Sequence, residues 1–176
     1  ACELLLKNAL KAGKQMESTL EAAAIVLNAA GKDGMIAGQI IDMESEGNAI
    51  EAETLKTMHR KKTGALLKAS ILTPAVYVRA DSSTRKALTE YAECIGVAFQ
   101  IKDDILDVES CGTELGKPTG SDAKNHKTTY VTLFGLDKAR QMLAEITEKA
   151  LNAVKPFGDK AWFLKEAACY IASRKN

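Results

Sequence analysis

The chain has 176 residues, enough for one domain with a full core, and a formal net charge of +1 with acids and bases interspersed. That balance argues against a nucleic-acid partner, which would need a basic stripe, and no apolar run approaches the roughly 20 residues of a membrane span. Four cysteines without paired short spacing and only two histidines argue against a zinc site; with no secretory signal, a cytoplasmic location with free thiols is expected.

Alanine, leucine, lysine and glutamate are abundant, only three prolines appear, and no alternating strand pattern is visible, so an all-α domain over residues 1–176 is expected. Residue 1 opens straight into Cys2-Glu3-Leu4-Leu5-Leu6, a helix interior with no cap before it, and the expectation is a chain that begins mid-protein. Ser18 to Ala30 reads as the next helix, with Ser18-Thr19-Leu20-Glu21 as a capped start and Gly31 to Gly34 as a break. In Gly38-Gln39-Ile40-Ile41-Asp42, Gln39 and Asp42 share a helix face. A half-exposed helix with ordinary polar residues would look the same.

Glu51 to about Arg79 reads as one long helical run, kinked at Pro74. Gly64 costs a helix interior about 1 kcal/mol relative to alanine, and a backbone distortion that aims Lys62 and Thr63 at a ligand would explain it. An ammonium and a hydroxyl suit phosphate oxygens. Asp81 caps the next helix, which carries Phe99-Gln100-Ile101-Lys102-Asp103-Asp104-Ile105-Leu106-Asp107. Gln100, Asp103, Asp104 and Asp107 share one face, while most of the remaining circumference is apolar, as in a buried helix. Three carboxylates so placed repel one another unless a cation sits between them, and hard oxygen ligands suit Mg²⁺ or Mn²⁺. A solvated acidic patch is the competing reading. The segment 112–122 is a glycine-rich loop with neither Walker A nor EF-hand spacing, and Lys117, Lys124 and Lys127 lie on or just beyond it. Gly135 to Val154 and Asp159 to Ser173 read as closing amphipathic helices, with Leu136, Leu143, Trp162 and Leu164 among their core residues.

No Ser/His/Asp set and no reactive-cysteine context point to nucleophilic catalysis. Divalent cations and lysines around a diphosphate would instead make diphosphate a leaving group, and an apolar cavity would shield the carbocation left behind.

These blocks resemble a known family. F-Q-I-K-D-D-I-L-D at 99–107 is similar to the second aspartate-rich motif of trans-isoprenyl diphosphate synthases. G-Q-I-I-D from Gly38, K-T-G-A-L-L from Lys62, L-G-K from Leu115, S-D at 121–122 and K-T-T-Y from Lys127 match its other blocks in order. The wording is closest to bacterial farnesyl diphosphate synthases. The resemblance implies a helical bundle around a central cavity, a cytoplasmic homodimer, and condensation of an allylic diphosphate with isopentenyl diphosphate to farnesyl diphosphate, with geranylgeranyl diphosphate as the next product choice. It implies Mg²⁺ on Asp103, with Asp104 and Asp107 supporting, and allylic diphosphate contacts from Lys62, Lys117 and Lys127. Thr63 and Gln100 would stand beside the reacting carbons, Gln39 and Asp42 would line the cavity, and Asp122 would help hold Lys117. The family's first aspartate-rich motif and its isopentenyl-diphosphate block have no counterpart in residues 1–34. The expectation is therefore a C-terminal part, its N-terminal helices missing, that does not turn over substrate alone. A non-catalytic helical subunit or scaffold of the same fold is the alternative.

Overall fold

A 29-residue helix, α6 (Ser82–Ser110), organises the molecule. The computed structural model describes residues 2–110 and 127–175, and among them the regular elements are all helical. Before α6 come α1 (Cys2–Lys11), α2 (Met16–Ala30), α3 (Met35–Glu44), α4 (Ala52–His59) and α5 (Ala65–Tyr77). After it come the short α7 (Tyr130–Phe134), then α8 (Leu136–Val154) and α9 (Trp162–Ser173). Lys117 and Asp122 lie outside the described residues.

Helix α6 is buried along much of its length, and two hydrophobic clusters hang on it. Ala98, Ile101 and Ile105 pack with Leu55 and Met58 of α4, Tyr130 of α7, and Ala139 and Leu143 of α8. Nearer its start, Tyr91, Cys94 and Ile95 pack with Ala150, Val154, Ala161 and Ala168. The Tyr91 hydroxyl donates to the Leu164 carbonyl at 2.7 Å, so the one polar atom of a buried ring is satisfied and α9 is tied to α6. The capping at Asp81 is as expected: its Oδ1 accepts from the Thr84 backbone N–H at 2.7 Å.

Two sequence expectations, at Ser18 and Trp162, are corrected. Helix α2 starts at Met16, so Ser18 is not a cap; it is buried inside the helix, and its hydroxyl donates to the Gln15 carbonyl at 3.1 Å. Serine mid-helix satisfies itself on the preceding turn in this way. The long helical run expected from Glu51 to about Arg79 is present: it continues through Pro74 to Tyr77, and Arg79 follows with a left-handed φ of 56°. Trp162 is not core but 65% exposed, because α9 turns Ala168 inward instead.

Between α4 and α5 the helix widens into a five-residue π turn, Arg60–Gly64. This is the distortion expected at Gly64. The glycine serves packing too: a Cβ built on Gly96 of α6 would stand 3.2 Å from the Gly64 Cα, so the two helices meet backbone to backbone there.

Candidate functional site

Four separate stretches of chain converge on a cavity of about 200 Å³. Helix α3 brings Asp42, the π turn brings Lys62, α6 brings Gln100, Asp103 and Asp104, and the segment entering α7 brings Lys127, Thr128 and Thr129. A π turn adds one residue to the local repeat and re-aims the side chains that follow, which is why such turns gather at working sites.

Asp42 is the electrostatic centre. Its Oδ2 lies 2.5 Å from the Lys62 ammonium and its Oδ1 lies 3.7 Å from that of Lys127. Burial alone would push this carboxyl up, but the hydrogen bond and charge of Lys62, with Lys127 behind them, outweigh it and hold the group below its ordinary value. Asp42 therefore stays ionised and keeps two ammonium groups converged on one point in the cavity.

The adjacent carboxylates on α6 have different partners. Asp104 is buried, and its Oδ2 accepts from the Tyr130 backbone N–H at 2.7 Å, satisfying an amide at the start of α7. Thr129 and Thr132 complete that start with a reciprocal capping box. Asp104 thereby fastens the segment that carries Lys127 to the helix that carries Asp103. Asp103 is paired with the guanidinium of Arg174, which also stacks over the Phe99 ring at 4.4 Å, and it lies 3.5 Å from the Gln100 amide nitrogen. Asp107 stands one turn further along α6, half-buried and off the cavity wall; exposed Gln39 and half-buried Thr63 are not on that wall either.

Two participants are not evident from the sequence. Arg174 reaches Asp103 across 71 positions, a contact no local pattern announces. His59 lines the cavity beside Asp42, tilted against Tyr130 with ring centroids 5.6 Å apart, and its buried Nδ1 has no partner among the described residues. Burial is the main reason its pKa falls to about 4; Asp42 opposes the fall and Lys62 adds to it. The imidazole is neutral at pH 7.

His59 also lines a larger cavity of about 590 Å³, bounded by apolar Ala65, Val97 and Met142. At that rim Lys68 pairs with Glu93 at 2.6 Å and Lys56 with Glu53 at 3.4 Å, while Lys61 donates to the Asp33 backbone carbonyl at 2.7 Å and Arg60 to the Thr57 hydroxyl at 3.5 Å. The smaller cavity differs in joining its two lysines, Lys62 and Lys127, to the α6 carboxylate of Asp103.

Among the described residues no group of three or more histidine, cysteine, aspartate or glutamate side chains converges as a metal cage. Mg²⁺ needs no such cage where a phosphate shares it, because it binds through one or two carboxylates plus phosphate oxygens and keeps several waters. Asp103, a hard oxygen donor on the wall that also carries Lys62 and Lys127, fits that requirement.

The polyprenyl synthetase family profile matches residues 1–161. The chain belongs to the polyprenyl synthetase family. It is 45% identical over 122 residues to a farnesyl diphosphate synthase of Geobacillus stearothermophilus, covering 69% of this chain and 41% of that protein. It is 39% identical over 167 residues to a chloroplastic geranylgeranyl pyrophosphate synthase of Capsicum annuum, covering 94% of this chain and 45% of that protein. Among solved structures, an FPP/GFPP synthase from Zymomonas mobilis superposes with a TM-score of 0.77 at 33% identity, covering 89% of this chain and 51% of the other. The all-α architecture is that of the isoprenoid synthases. The chain spans about half the length of the curated relatives it matches. Arg174 lies beyond the stretch matched by the polyprenyl synthetase profile, yet the fold returns it to a carboxylate well inside that stretch.

Proposed function

We propose that this chain carries the diphosphate-binding part of a short-chain trans-prenyltransferase. The reaction joins an allylic diphosphate to isopentenyl diphosphate, with farnesyl diphosphate as the product; the observation that supports this most directly is the pairing of Asp42 with both Lys62 and Lys127 in the cavity that Asp103 also lines. Mg²⁺, when bound at Asp103, supplies positive charge to the departing diphosphate. The names of the relatives support both farnesyl and geranylgeranyl products, and the wording of the motifs favours farnesyl.

The chain's own groups account for the binding and charge stabilisation. Lys62 and Lys127 reach the incoming diphosphate by exchanging a shared carboxylate partner for phosphate oxygens, so their attraction is held in place before the ligand arrives. As the allylic C–O bond breaks, its electron pair leaves on the diphosphate, and the two ammonium groups stabilise the growing charge. The alkene of isopentenyl diphosphate then attacks the cation, and the new cation loses a proton to the released pyrophosphate. Gln100 holds its amide beside Asp103 and orients the carboxylate. The neutral His59 adds no cation of its own that could hold diphosphate after the transfer.

Titration calorimetry of inorganic pyrophosphate, with and without Mg²⁺, tests this reading on the wild-type chain and on Asp103→Asn. Binding that Mg²⁺ strengthens about tenfold or more in the wild type, and that Asp103→Asn returns to the metal-free value, is the expected result. Equal affinity with and without Mg²⁺ in both proteins, or no binding in either, contradicts it.

A further inference from the structure

The π turn that carries Lys62 is seated between two glycines. On one side Gly96 of α6 meets Gly64; on the other, Gly38 of α3 meets Lys62 itself. The second contact is much the closer. A Cβ built on Gly38 would stand 2.1 Å from the Lys62 backbone nitrogen, 2.5 Å from its Cα and 2.7 Å from its Cβ. Gly38 is buried, and its φ is not in the left-handed region, so conformational freedom is not what requires a glycine here. The requirement is proximity. Asp42 follows Gly38 by four positions and so lies on the same face of α3, one turn along. Whatever height Gly38 allows α3 to take above the π turn is also the height at which Asp42 meets Lys62.

We infer that Gly38, which has no functional group, is a positioning residue for diphosphate capture: by letting α3 rest on the Lys62 backbone it sets the separation of the Asp42 carboxylate and the Lys62 ammonium. The link to diphosphate rests on the function proposed above; the link to the Asp42–Lys62 pair stands on geometry alone. Any side chain at position 38 must move backbone, because the two nearest atoms it meets are main-chain atoms and the third is the Lys62 Cβ fixed to them, not the end of a flexible side chain. Reaching ordinary contact needs a displacement of roughly 1 Å, and shifts of that size at a binding constellation are costly.

Gly38→Ala in the 176-residue chain tests this with two readouts. The first is the ¹³C-carboxyl NMR titration of Asp42, which is faced by Lys62, Lys127 and His59. The second is calorimetric affinity for inorganic pyrophosphate. Gly38→Ala is expected to move the Asp42 titration upward, toward the ordinary carboxylate value, and to weaken pyrophosphate binding roughly tenfold. Gly158→Ala serves as the control for general destabilisation: it strains the backbone at a positive φ of 59° but brings its Cβ within 4 Å of nothing, and it should change neither readout. An Asp42 titration unchanged in folded Gly38→Ala overturns the inference. So does an unchanged pyrophosphate affinity when the wild type binds. A wild type that binds no pyrophosphate refutes the proposed function, while the Asp42 titration still decides the role of Gly38 in the pair. Should Gly38→Ala not fold, Gly96→Ala presses the same turn from the far side with a milder 3.2 Å contact. It is expected to give a smaller upward move of Asp42, and no move overturns the inference.

Discussion

Lys62→Ala is expected to lower the affinity for pyrophosphate roughly 10- to 100-fold, the value of one charge-assisted hydrogen bond of about 1.5–3 kcal/mol. The loss has two parts. One is the missing donor. The other is that Asp42 loses the cation 2.5 Å from its Oδ2 and keeps only Lys127, at 3.7 Å from its Oδ1. A carboxylate with less compensation then faces an anionic ligand and repels it. The second part is separable: Lys62→Ala combined with Asp42→Asn removes the repelling charge and should recover a measurable share of the affinity. If the double variant binds no better than Lys62→Ala, Asp42 does not oppose the ligand. Lys62→Arg is not expected to rescue fully, because a planar fork cannot reproduce a point charge seated this close to one carboxylate oxygen.

The second large effect is on stability against pH. In the unfolded chain His59 titrates near 6.5, and in the folded chain burial lowers this to about 4. Between these values the unfolded state binds more protons, so stability rises with pH across that window. Above about 6.5 the neutral histidine is fully tolerated; as pH falls toward 4 the folded state is progressively disfavoured, by roughly 3 kcal/mol at the lower end. His59→Gln removes the titrating group. Urea denaturation from pH 7.5 to pH 4 should show the wild type losing about that much relative to the variant. Parallel curves would mean that His59 is protonated as easily folded as unfolded. Asp42 does not confuse the comparison, since its folded value lies below the ordinary carboxylate range and its contribution is lost at lower pH.

Much of this arrangement can be read from local pattern. The helical class follows from composition, and the burial of α6 follows from apolar residues on most of its circumference, as Tyr91, Ile95, Ala98 and Ile101 confirm. Gly64 announced a distortion because a glycine is unfavourable in a helix interior, and the π turn is there. The errors arose where neighbours in space, not in sequence, decide. The burial of Ser18 and the exposure of Trp162 depend on which helix lies across from each. The short α7 is held by a capping box with threonine at both ends and by Asp104, a residue 26 positions away, so no glutamate or glutamine marks it. The same long-range geometry gives Asp103 and Asp104, adjacent in the motif, different partners: Arg174 and the Tyr130 backbone N–H. Asp107, Gln39 and Thr63 share helix faces with cavity residues without themselves lining the cavity, because a shared face spans several turns and a 200 Å³ pocket does not.

The central claim is that one carboxylate on α6 and two lysines opposite it form a single diphosphate site. Crystals of the chain grown with Mn²⁺ and inorganic pyrophosphate test it directly, since manganese can be located by its anomalous scattering. The account predicts a manganese peak in contact with Asp103, displacing Arg174, and phosphate oxygens within hydrogen-bonding distance of both Lys62 and Lys127. Pyrophosphate seated instead among Lys56, Arg60 and Lys61 at the larger cavity, with Lys62 still closed on Asp42, would contradict it.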